Sequence, residues 1–452
     1  MKSIGRYEIR AMLGQGGMGR VYKVVIPGIH KVAAVKSLQP SPKLVETMGM
    51  ERLREQFVRE ASMIANIRHP HVVEIWSLEE TGDQLFYVME YFCHNLGTLI
   101  NEAYWADAPT RVVRVEKAVR VILEVLQGLS RLHHAGIIHR DIKPFNIMFT
   151  DSGTVKIVDF GLSRKRGETP AENAGILIGT GFYAAPEQIA SPEKADHRAD
   201  LYSTGIMLYR MITGRLPGSV FTPPADLNPD LDSSWDQLIV KATDPNPDHR
   251  FQDAKSMGEE IQEIHRQYRK RKEMACSLPD DSGTSVESEK DRALLQITLR
   301  SQAGLILAKQ GKAVFGIDDL YRPKTYIRNR MEAVHNDFFM DHATGLIWQR
   351  AGSEYPVSFR QAQDYVVKIN EQKAGGQDNW RLPTVNELLS LLNPPPPGED
   401  FCFASPFSSV QKWIWSGDTR SARASWMVNF EMGFVMSGDV MDFFYVRAVC
   451  SL

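Results

Sequence analysis

The sequence has few of the features that define whole classes of protein. It contains only four cysteines in 452 residues, Cys93, Cys276, Cys402 and Cys450, and no two of them form a CxxC pair. Such cysteine usage argues against a disulfide scaffold and against a zinc finger. Charges interrupt the apolar stretches within about a dozen residues, whereas a membrane helix needs about 20 apolar residues in succession. We therefore expect free thiols and no membrane span.

The chain also has almost no net charge, and we expect no signal sequence. Its 53 Lys and Arg residues nearly balance 55 Asp and Glu residues, so we expect no general attraction to nucleic acid or anionic lipid. The first eight residues, MKSIGRYE, contain no apolar signal core. A chain of this length accommodates two or three domains of about 150 residues, each with its own core. These features predict a multidomain protein in the cytoplasm.

Residues 1–268 have the pattern of one folded region with two parts. Apolar residues alternate in short stretches such as 20–24 and 32–36, which predicts strands. Further along, apolar residues recur at helical spacing, as in 115–133. Strands first and helices second predict an α+β fold with a strand-rich lobe followed by a helical lobe.

The rest of the chain divides at about residue 336. Residues 269–335 are predicted to be a linker, with a disordered segment at 277–291, which is rich in Ser, Asp and Glu, and an amphipathic helix at 291–310. Residues 336–452 contain five of the eight tryptophans, which indicates a compact, β-rich domain. The basic run at 266–272 is predicted to be a solvated helix end, the alternative being a nucleic-acid or membrane patch.

A glycine-rich turn near the N-terminus is typical of a phosphate site. Residues 14–21, GQGGMGRV, fit the pattern GxGxxGxV, and glycine lets backbone amides approach phosphate oxygens without a Cβ in the way. A strand follows the turn, where a dinucleotide-binding fold would have a helix. The pattern therefore predicts a hairpin lid over nucleotide phosphates, although glycines alone also fit a simple tight turn.

Lys36 ends the strand that follows this hairpin, where it would hold phosphates or extend to solvent. A phosphate-binding lysine needs an acidic partner to fix its position. Glu60 lies among apolar residues of the predicted helix 53–67, and an inward carboxylate is costly unless it is paired. We therefore predict a Lys36–Glu60 pair, the alternative being a surface position for Glu60.

Two loops further along carry acidic and amide groups. His139-Arg140-Asp141 opens a loop that runs to Asn146, and Asp159-Phe160-Gly161 begins 18 positions after Asp141. Two carboxylates and one amide suit a site that positions a hydroxyl and holds Mg²⁺, which prefers oxygen ligands. Each residue alone has a structural alternative, such as a core histidine or a turn aspartate. Their order and spacing together indicate a catalytic site.

With Ala185-Pro186-Glu187, Asp200 and Arg250 added, residues 5–265 resemble a Hanks-type bacterial protein kinase. The resemblance implies a bilobal kinase fold, ATP and Mg²⁺ as cofactors, and protein substrates. The pattern Lys143-Pro144-x-Asn146, with Thr180, is similar to the Ser/Thr-specific members of the family. We therefore predict a non-specific serine/threonine protein kinase that transfers the γ-phosphate of ATP to Ser or Thr hydroxyls.

The resemblance also implies catalytic roles for four residues. Asp141 would receive or orient the proton of the substrate hydroxyl, and Lys143 would neutralise the γ-phosphate as it moves. Lys36, paired with Glu60, would contact the α- and β-phosphates. Because every part of this machinery is present in the sequence, an inactive pseudokinase is disfavoured.

Binding and structural roles follow from the same resemblance. Asn146 and Asp159 would hold Mg²⁺, while a Glu187–Arg250 ion pair and Asp200 would stabilise the fold. The predicted ATP-binding residues are those of the glycine turn, the strands above the adenine and the hinge: Leu13, Gly14, Gly16, Gly17, Gly19, Val21, Ala34, Lys36, Met89, Glu90, Phe92 and Met148.

The regulatory candidates lie on and opposite the segment between Asp159 and Glu187. Arg140 beside Asp141 implies control by a phosphate on this segment. Thr169 is the only hydroxyl residue between positions 165 and 178, and Thr180 follows. One hypothesis is autophosphorylation on Thr169. The other is that the carboxylate of Glu172 supplies the anion that faces Arg140.

Residues 336–452 resemble a second family. The segments 338–348, 380–388, 426–430 and 445–449 are similar to the Lcl C-terminal domain, a bacterial relative of the C-type lectin fold. Helices capped by Ser358 and by Thr384 are predicted, the second with Glu387 completing a capping box. Arg381 and Arg447 are predicted to make buried hydrogen bonds.

A lectin-like fold does not imply lectin activity. The tripeptides that hold calcium and sugar in lectins are absent, so we expect no lectin-type Ca²⁺ site. The ligand-facing residues are predicted on two late loops, 416–425 and 433–444. We further expect Cys402 and Cys450 to be thiols.

The leading hypothesis is a kinase whose C-terminal module binds an unknown ligand or protein for targeting or regulation. The alternative is a lectin-fold binding protein, diversified by a retroelement, in which the kinase is a secondary effector. A kinase linked to nucleic acid through the basic run at 266–272 has poor support, because aromatic residues are not interleaved with the charges.

Overall fold

The computed structural model describes residues 3–103, 108–161, 164–165, 181–218, 220–276, 297–394, 402, 407 and 410–451. The chain forms two compact units, Met1–Asp280 and Asp281–Leu452. The helices and strands observed within each unit confirm a fold of mixed helix and sheet, with a sheet-rich C-terminal unit.

The first unit begins with an antiparallel six-stranded sheet in the order β1-β2-β3-β4-β6-β5. Its strands are β1 (Ser3–Ile4), β2 (Tyr7–Gln15), β3 (Gly19–Ile26), β4 (Lys31–Leu38), β5 (Ile75–Thr81) and β6 (Gln84–Met89), and its helices are α1 (Pro42–Met48) and α2 (Met50–Ala65). In the register of β4 and β6, Lys36 lies opposite Tyr87 and Ala34 lies opposite Met89.

Helix α2 lies against this sheet because its apolar residues share one face. Phe57 and Ala61 are buried together with Leu85 and Tyr87 of β6. Glu60 lies on the same buried face, so its carboxylate is directed toward the sheet rather than toward solvent. This packing sets the position of Glu60 relative to Lys36.

The second lobe of this unit is mainly helical. Its elements are β7 (His94–Asn95), α3 (Leu96–Ile100), α4 (Val115–His134), β8 (Ile137–Ile138), β9 (Ile147–Phe149), β10 (Val155–Ile157), β11 (Arg164–Lys165), α5 (Pro186–Ala190), α6 (Arg198–Thr213), α7 (Pro224–Leu227), α8 (Ser233–Ala242) and α9 (Ala254–Cys276), with 3₁₀ turns at Pro144–Asn146 and Pro247–His249. Helix α6 is buried along almost its whole length, and α4 packs on α6 and α9.

The basic run at 266–272 lies within helix α9, which continues to Cys276. Its charges are largely paired within the first unit: Arg266 with Glu263, Arg269 with Glu273, Arg271 with Asp232, and Lys272 with Glu116. Lys272 Nζ and Glu116 Oε1 are 3.1 Å apart and join α9 to α4. The run is therefore part of a docked helix, which agrees with the expected helix end.

The second unit contains two antiparallel sheets, one in the order β12-β13-β14-β18 and the other β15-β16-β17. Its elements are α10 (Ala308–Phe315), β12 (Met331–His335), β13 (Phe338–Asp341), β14 (Leu346–Gln349), α11 (Phe359–Glu371), α12 (Val385–Ser390), β15 (Trp413–Ser421), β16 (Ala424–Asn429), β17 (Phe434–Asp439) and β18 (Val449–Ser451), with a 3₁₀ turn at Ala374–Gly376.

The predicted helix caps and arginine hydrogen bonds are present in this unit. Ser358 begins α11, and Thr384 begins α12 with Glu387 completing a capping box. Arg381 makes a bidentate pair with Glu387. Arg447 is buried and donates to the backbone oxygens of residues 349 and 350.

The segment before β12 differs from the prediction. Residues 297–307 form neither helix nor strand apart from a bridge at Leu305, and the helix begins only at Ala308. Phe315 and Ile317 are buried in the same core as Trp348. Helix α9 thus continues past residue 268, and Phe315 and Ile317 belong to the core of the second unit, within the range 269–335 for which the sequence predicts a linker. The predicted disordered segment, 277–291, lies outside the described residues.

The late loops of the second unit also differ from the prediction. Most of 416–425 and 433–444 forms strands β15, β16 and β17, with a tight turn at 422–423 and a loop after Asp439. Ser416, Asp418 and Ser425 are fully buried, so they do not face a ligand. Among the helices of the described ranges, none has both the length and the apolar character needed to cross a membrane.

Candidate active site

A buried lysine stands between two carboxylates at the inner face of the sheet. Lys36 Nζ donates to Glu60 Oε1 at 2.7 Å and to Asp159 Oδ1 at 2.8 Å. Lys36 comes from β4, Glu60 from α2, and Asp159 from the loop after β10. The structure thus brings together three of the predicted site residues, which are up to 123 positions apart in the chain.

The charges of this cluster keep Lys36 and Asp159 ionised. The Lys36 ammonium lowers the pKa of Asp159 to about 2. Burial by itself would lower the pKa of Lys36, but the carboxylates of Asp159 and Glu60 outweigh burial and hold that pKa well above its usual value. Asp159 is nevertheless about half exposed, at 48% of its side chain. It therefore presents a charged oxygen to the open side of the site.

Asp141 lies on the adjoining loop with a lysine and an amide around it. Lys143 Nζ is 2.9 Å from Asp141 Oδ2. Asn146 Nδ2 donates to the backbone oxygen of Asp141 at 2.8 Å and to its Oδ2 at 2.9 Å. Burial raises the pKa of Asp141, and the Lys143 charge opposes that rise. The carboxylate is thus oriented by two neighbours of its own loop.

Asp200 holds the loop that begins at His139, because backbone amides of that loop donate to its carboxylate. Its two carboxylate oxygens accept from His139 N at 2.9 Å and from Arg140 N at 2.7 Å, and His133 Nε2 is 2.8 Å away. Arg140 has a φ of 67° and Asp159 a φ of 62°, conformations that side chains rarely adopt and that fixed surroundings must maintain. The fold-stabilising role expected of Asp200 is consistent with these bonds.

The loops that carry Asp141 and Asp159 are also joined to each other. His139 Nε2 is 3.1 Å from the backbone oxygen of Val158, and Val158 N donates to the backbone oxygen of Asn146 at 3.0 Å. The His139 and Phe160 rings lie 4.7 Å apart. These contacts fix the distance between the hydroxyl-positioning group and the acidic group after β10.

The glycine turn lies at the junction of β2 and β3, where Gly14 pairs with Val21. A Cβ on Gly19 would lie 2.2 Å from the backbone oxygen of Ser37, so this glycine is required by close packing. A Cβ on Gly14 or Gly16 would meet no described atom within 4 Å. The space beside these two glycines is open, as a phosphate cradle requires.

The other predicted ATP-binding residues surround the same inner face. Ala34 and Met89 are cross-strand neighbours, Val21 is opposite Lys36, and Phe92 is largely buried just beyond the sheet. Leu13 is 46% exposed, and Met148 lies in β9 of the helical lobe. Gly17 lies in the turn itself, and the remaining hinge residue, Glu90, contacts Lys156 at 3.3 Å.

The predicted regulatory residues fall mostly outside the described part of the chain. Thr169, Glu172 and Thr180 lie there, so neither hypothesis on activation has a geometry to test. The Arg140 side chain donates through Nη2 to the backbone oxygen of Ala195 at 2.9 Å. Glu187 and Arg250 form the expected ion pair through two bonds, 2.7 and 2.8 Å long.

The donor set suits a hard divalent cation. Asp159 contributes a half-exposed carboxylate, and Asn146 directs its nitrogen toward Asp141, which leaves its amide oxygen as an acceptor. Oxygen ligands of this kind, few in number, are what Mg²⁺ takes when substrate phosphates complete its coordination. The residues present thus fit the cation that the sequence predicts.

One contact of this site was not predicted from the sequence. Tyr87 OH donates to Glu60 Oε1 at 2.8 Å. A tyrosine in an apolar strand is predicted to be a core residue. The sequence alone contains no signal that places its hydroxyl against Glu60. The register of β4 and β6, which sets Tyr87 opposite Lys36, would have been needed to find it.

A sheet lobe whose buried lysine faces an acidic loop of a helical lobe is the arrangement typical of the protein kinase fold. A family model of the protein kinase domain matches residues 7–277. The chain belongs to the protein kinase family, whose members use ATP and a divalent cation. A second model, of the Lcl C-terminal domain, matches residues 337–450, so both predicted family resemblances are confirmed.

Curated relatives are similar over about half to two thirds of the chain. A probable serine/threonine-protein kinase of Clostridium perfringens is 33% identical over 274 residues, 57% of this chain and 38% of that protein. The probable kinase pknA2 of Bifidobacterium longum is 37% identical over 47% of this chain and 27% of its own length. The kinase PrkC of Bacillus subtilis is 28% identical over 68% of this chain and 48% of its own length. The matched region spans less than half of each of these relatives.

Proposed function

We propose that this protein is a serine/threonine protein kinase that transfers the γ-phosphate of ATP to hydroxyls of protein substrates, with Mg²⁺ as its cation. The observation that carries the proposal is the Lys36 ammonium held between Glu60 and Asp159, with Asp141 and Lys143 on the adjoining loop. Phosphoryl transfer requires mainly positioning and charge neutralisation, and these residues supply both.

In the proposed mechanism, Lys36 binds the α- and β-phosphates while Glu60 fixes the direction of its ammonium. Asp141 accepts a hydrogen bond from the substrate hydroxyl and takes its proton as the new P–O bond forms. The bond between the γ-phosphorus and the bridging oxygen of ATP breaks in the same step, and ADP leaves. Lys143, 2.9 Å from Asp141, neutralises charge on the transferring phosphoryl group. A magnesium ion held by Asp159 and Asn146 would neutralise further phosphate charge.

The preference for Ser and Thr is supported by the sequence Lys143-Pro144-Phe145-Asn146 and by relatives that are named as serine/threonine-protein kinases. We further propose that the protein acts in the cytoplasm, where ATP is available. The roles of Thr169, Glu172 and Thr180 in activation stay proposals with two forms, phosphorylation or a resident carboxylate.

For the second unit we propose a binding module that recruits a substrate protein or regulates the kinase. Tyr355 and Phe443 expose large aromatic rings there, at 68% and 46%. Their loops are joined by the bridge between Val357 and Phe444. Exposed aromatic side chains on fixed loops are favourable contact groups for a protein partner. A pull-down with full-length protein and with Tyr355→Ser tests this, since loss of partners supports the proposal and unchanged capture contradicts it.

The proposed cation and nucleotide chemistry is tested by Asp159→Asn in the full chain. We expect ATP turnover in Mg²⁺ to be abolished, because the amide lacks the charge that the carboxylate presents. Asp337→Asn, an exposed change in the second unit, serves as the matched control and should keep full turnover. Chelation by EDTA should stop the reaction, and added Mg²⁺ should restore it. Unchanged activity of Asp159→Asn would overturn the assignment.

A further inference from the structure

Tyr87 occupies a position in which it reaches both members of the Lys36–Glu60 pair. It lies in β6 directly opposite Lys36 of β4, and opposite residues of paired strands direct their side chains to the same face. The Lys36 ammonium is 5.9 Å from the centre of the Tyr87 ring. The side chain is buried, with 3% of the residue exposed.

The ring and the hydroxyl of Tyr87 make different contacts with helix α2. The ring lies 5.1 Å from that of Phe57, three residues before Glu60 on the same helix face. The hydroxyl donates to Glu60 Oε1 at 2.8 Å. One side chain of the sheet therefore contacts helix α2 at two residues that lie one turn apart, Phe57 and Glu60.

Glu60 depends on this hydroxyl because its carboxylate has few donors. Oε1 accepts from Lys36 and from Tyr87, while no described group donates to the buried Oε2. A buried carboxylate is costly unless its oxygens are hydrogen-bonded. Without the Tyr87 hydroxyl, Lys36 would be the remaining donor to Glu60 within the described residues.

We propose that Tyr87 is a positioning residue of the nucleotide site: its hydroxyl holds the Glu60 carboxylate, and with it helix α2, in the place where Glu60 directs Lys36 at the ATP phosphates. This inference rests on the proposed function and deepens it. Tyr87 touches neither nucleotide nor substrate and acts through Glu60.

The chemistry of the phenol suits such a permanent role. Burial, together with the nearby Glu60 carboxylate, raises the pKa of Tyr87 well above its usual value. The hydroxyl therefore keeps its proton throughout the pH range of a working enzyme and stays a donor. A positively charged donor would instead compete with Lys36 for Glu60.

Tyr87→Phe tests the inference, because it removes the hydroxyl and keeps the ring that packs on Phe57. Tyr209→Phe is the matched control: Tyr209 is equally buried, and its hydroxyl donates to the backbone oxygen of Thr222, in the helical lobe, at 3.0 Å. Binding of ATP and of adenosine to the full chain is measured by calorimetry. Adenosine lacks phosphates, so its affinity does not depend on Lys36.

For Tyr87→Phe we expect roughly tenfold weaker ATP binding, the effect of losing one hydrogen bond to a charged group, and unchanged adenosine binding. Tyr209→Phe should bind both as the wild type does. In a Glu60→Gln background, Tyr87→Phe should have little further effect, since it acts through the charge of Glu60.

Three results would overturn the inference: ATP affinity of Tyr87→Phe within twofold of the wild type, an equal loss of ATP and adenosine affinity, or a full loss in the Glu60→Gln background. These binding measurements do not depend on turnover. A wild-type protein that binds ATP but transfers no phosphate would contradict the proposed function, and the affinity ratio would still decide the role of Tyr87.

Discussion

Arg300 offers a quantitative test of where the second unit begins. It lies outside residues 337–450, which match the Lcl C-terminal domain, yet its guanidinium makes two bonds with Asp418, 2.7 and 2.5 Å long. Asp418 is fully buried in β15 and also accepts from the backbone nitrogens of Gly304 and Val385. The substitution Arg300→Ala would leave a buried carboxylate with those two backbone donors.

The magnitude follows from this loss of a charged partner. Removing one member of a buried ion pair typically costs about 3–5 kcal/mol. The Arg300 side chain is 27% exposed while that of Asp418 is 0% exposed, so solvent screens the pair in part and we expect the lower end, about 3 kcal/mol. For a unit of this size, that corresponds to a fall in melting temperature of about 6–12 °C.

The assay is unfolding of the full chain followed by tryptophan fluorescence. Five of the eight tryptophans are in the second unit, so this signal reports mainly on that unit. Arg360→Ala, on the exposed face of α11, is the matched control and should change the stability by less than about 0.5 kcal/mol. If Arg300→Ala is as mild as this control, Arg300 does not belong to the folded unit and our boundary is wrong.

Two further predictions concern the kinase unit. Lys143→Met removes the charge that opposes the raised pKa of Asp141. Since activity needs the Asp141 carboxylate and is lost as pH falls through its pKa, the acidic limb of the pH–rate profile should move to higher pH. An unmoved limb would contradict the role of Lys143. Gly19→Ala places a Cβ 2.2 Å from the backbone oxygen of Ser37 and should destabilise the unit by about 1–3 kcal/mol, whereas Gly16→Ala should leave the melting temperature unchanged and raise the KM for ATP. Equal melting temperatures for the two variants would refute the packing argument.

The kinase unit could be predicted from the sequence because its chemistry is local in sequence. The loop from His139 to Asn146 and the triplet at Asp159 each contain several functional residues within a few positions. Periodicity found the long helix, which the structure places at Val115–His134, because a continuous apolar stripe is a strong signal. The pairing of Lys36 with Glu60 followed from the cost of an inward carboxylate.

The failures have physical causes that a single sequence does not show. Residues 291–310 have helical periodicity, but residues 297–307 form no helix because they bond to the rest of the second unit, as in the bridge between Leu305 and Thr419. Tertiary contacts override local propensity. Segment 416–425 contains Ser, Gly and Asp, which favour turns. Its polar side chains are instead bonded inside a sheet: Ser416 Oγ donates to the backbone oxygen of Trp426 at 2.8 Å.

The central claim is that this protein transfers phosphate from ATP to protein hydroxyls, and one measurement tests it most directly. The purified full chain is incubated with γ-labelled ATP, Mg²⁺ and a generic protein substrate, and the labelled amino acids are identified. We predict label on Ser and Thr, and at least about a hundredfold less with Asp141→Asn, because the amide does not accept the proton of the hydroxyl. Equal labelling by the wild type and Asp141→Asn, or no transfer by the wild type, would contradict the account.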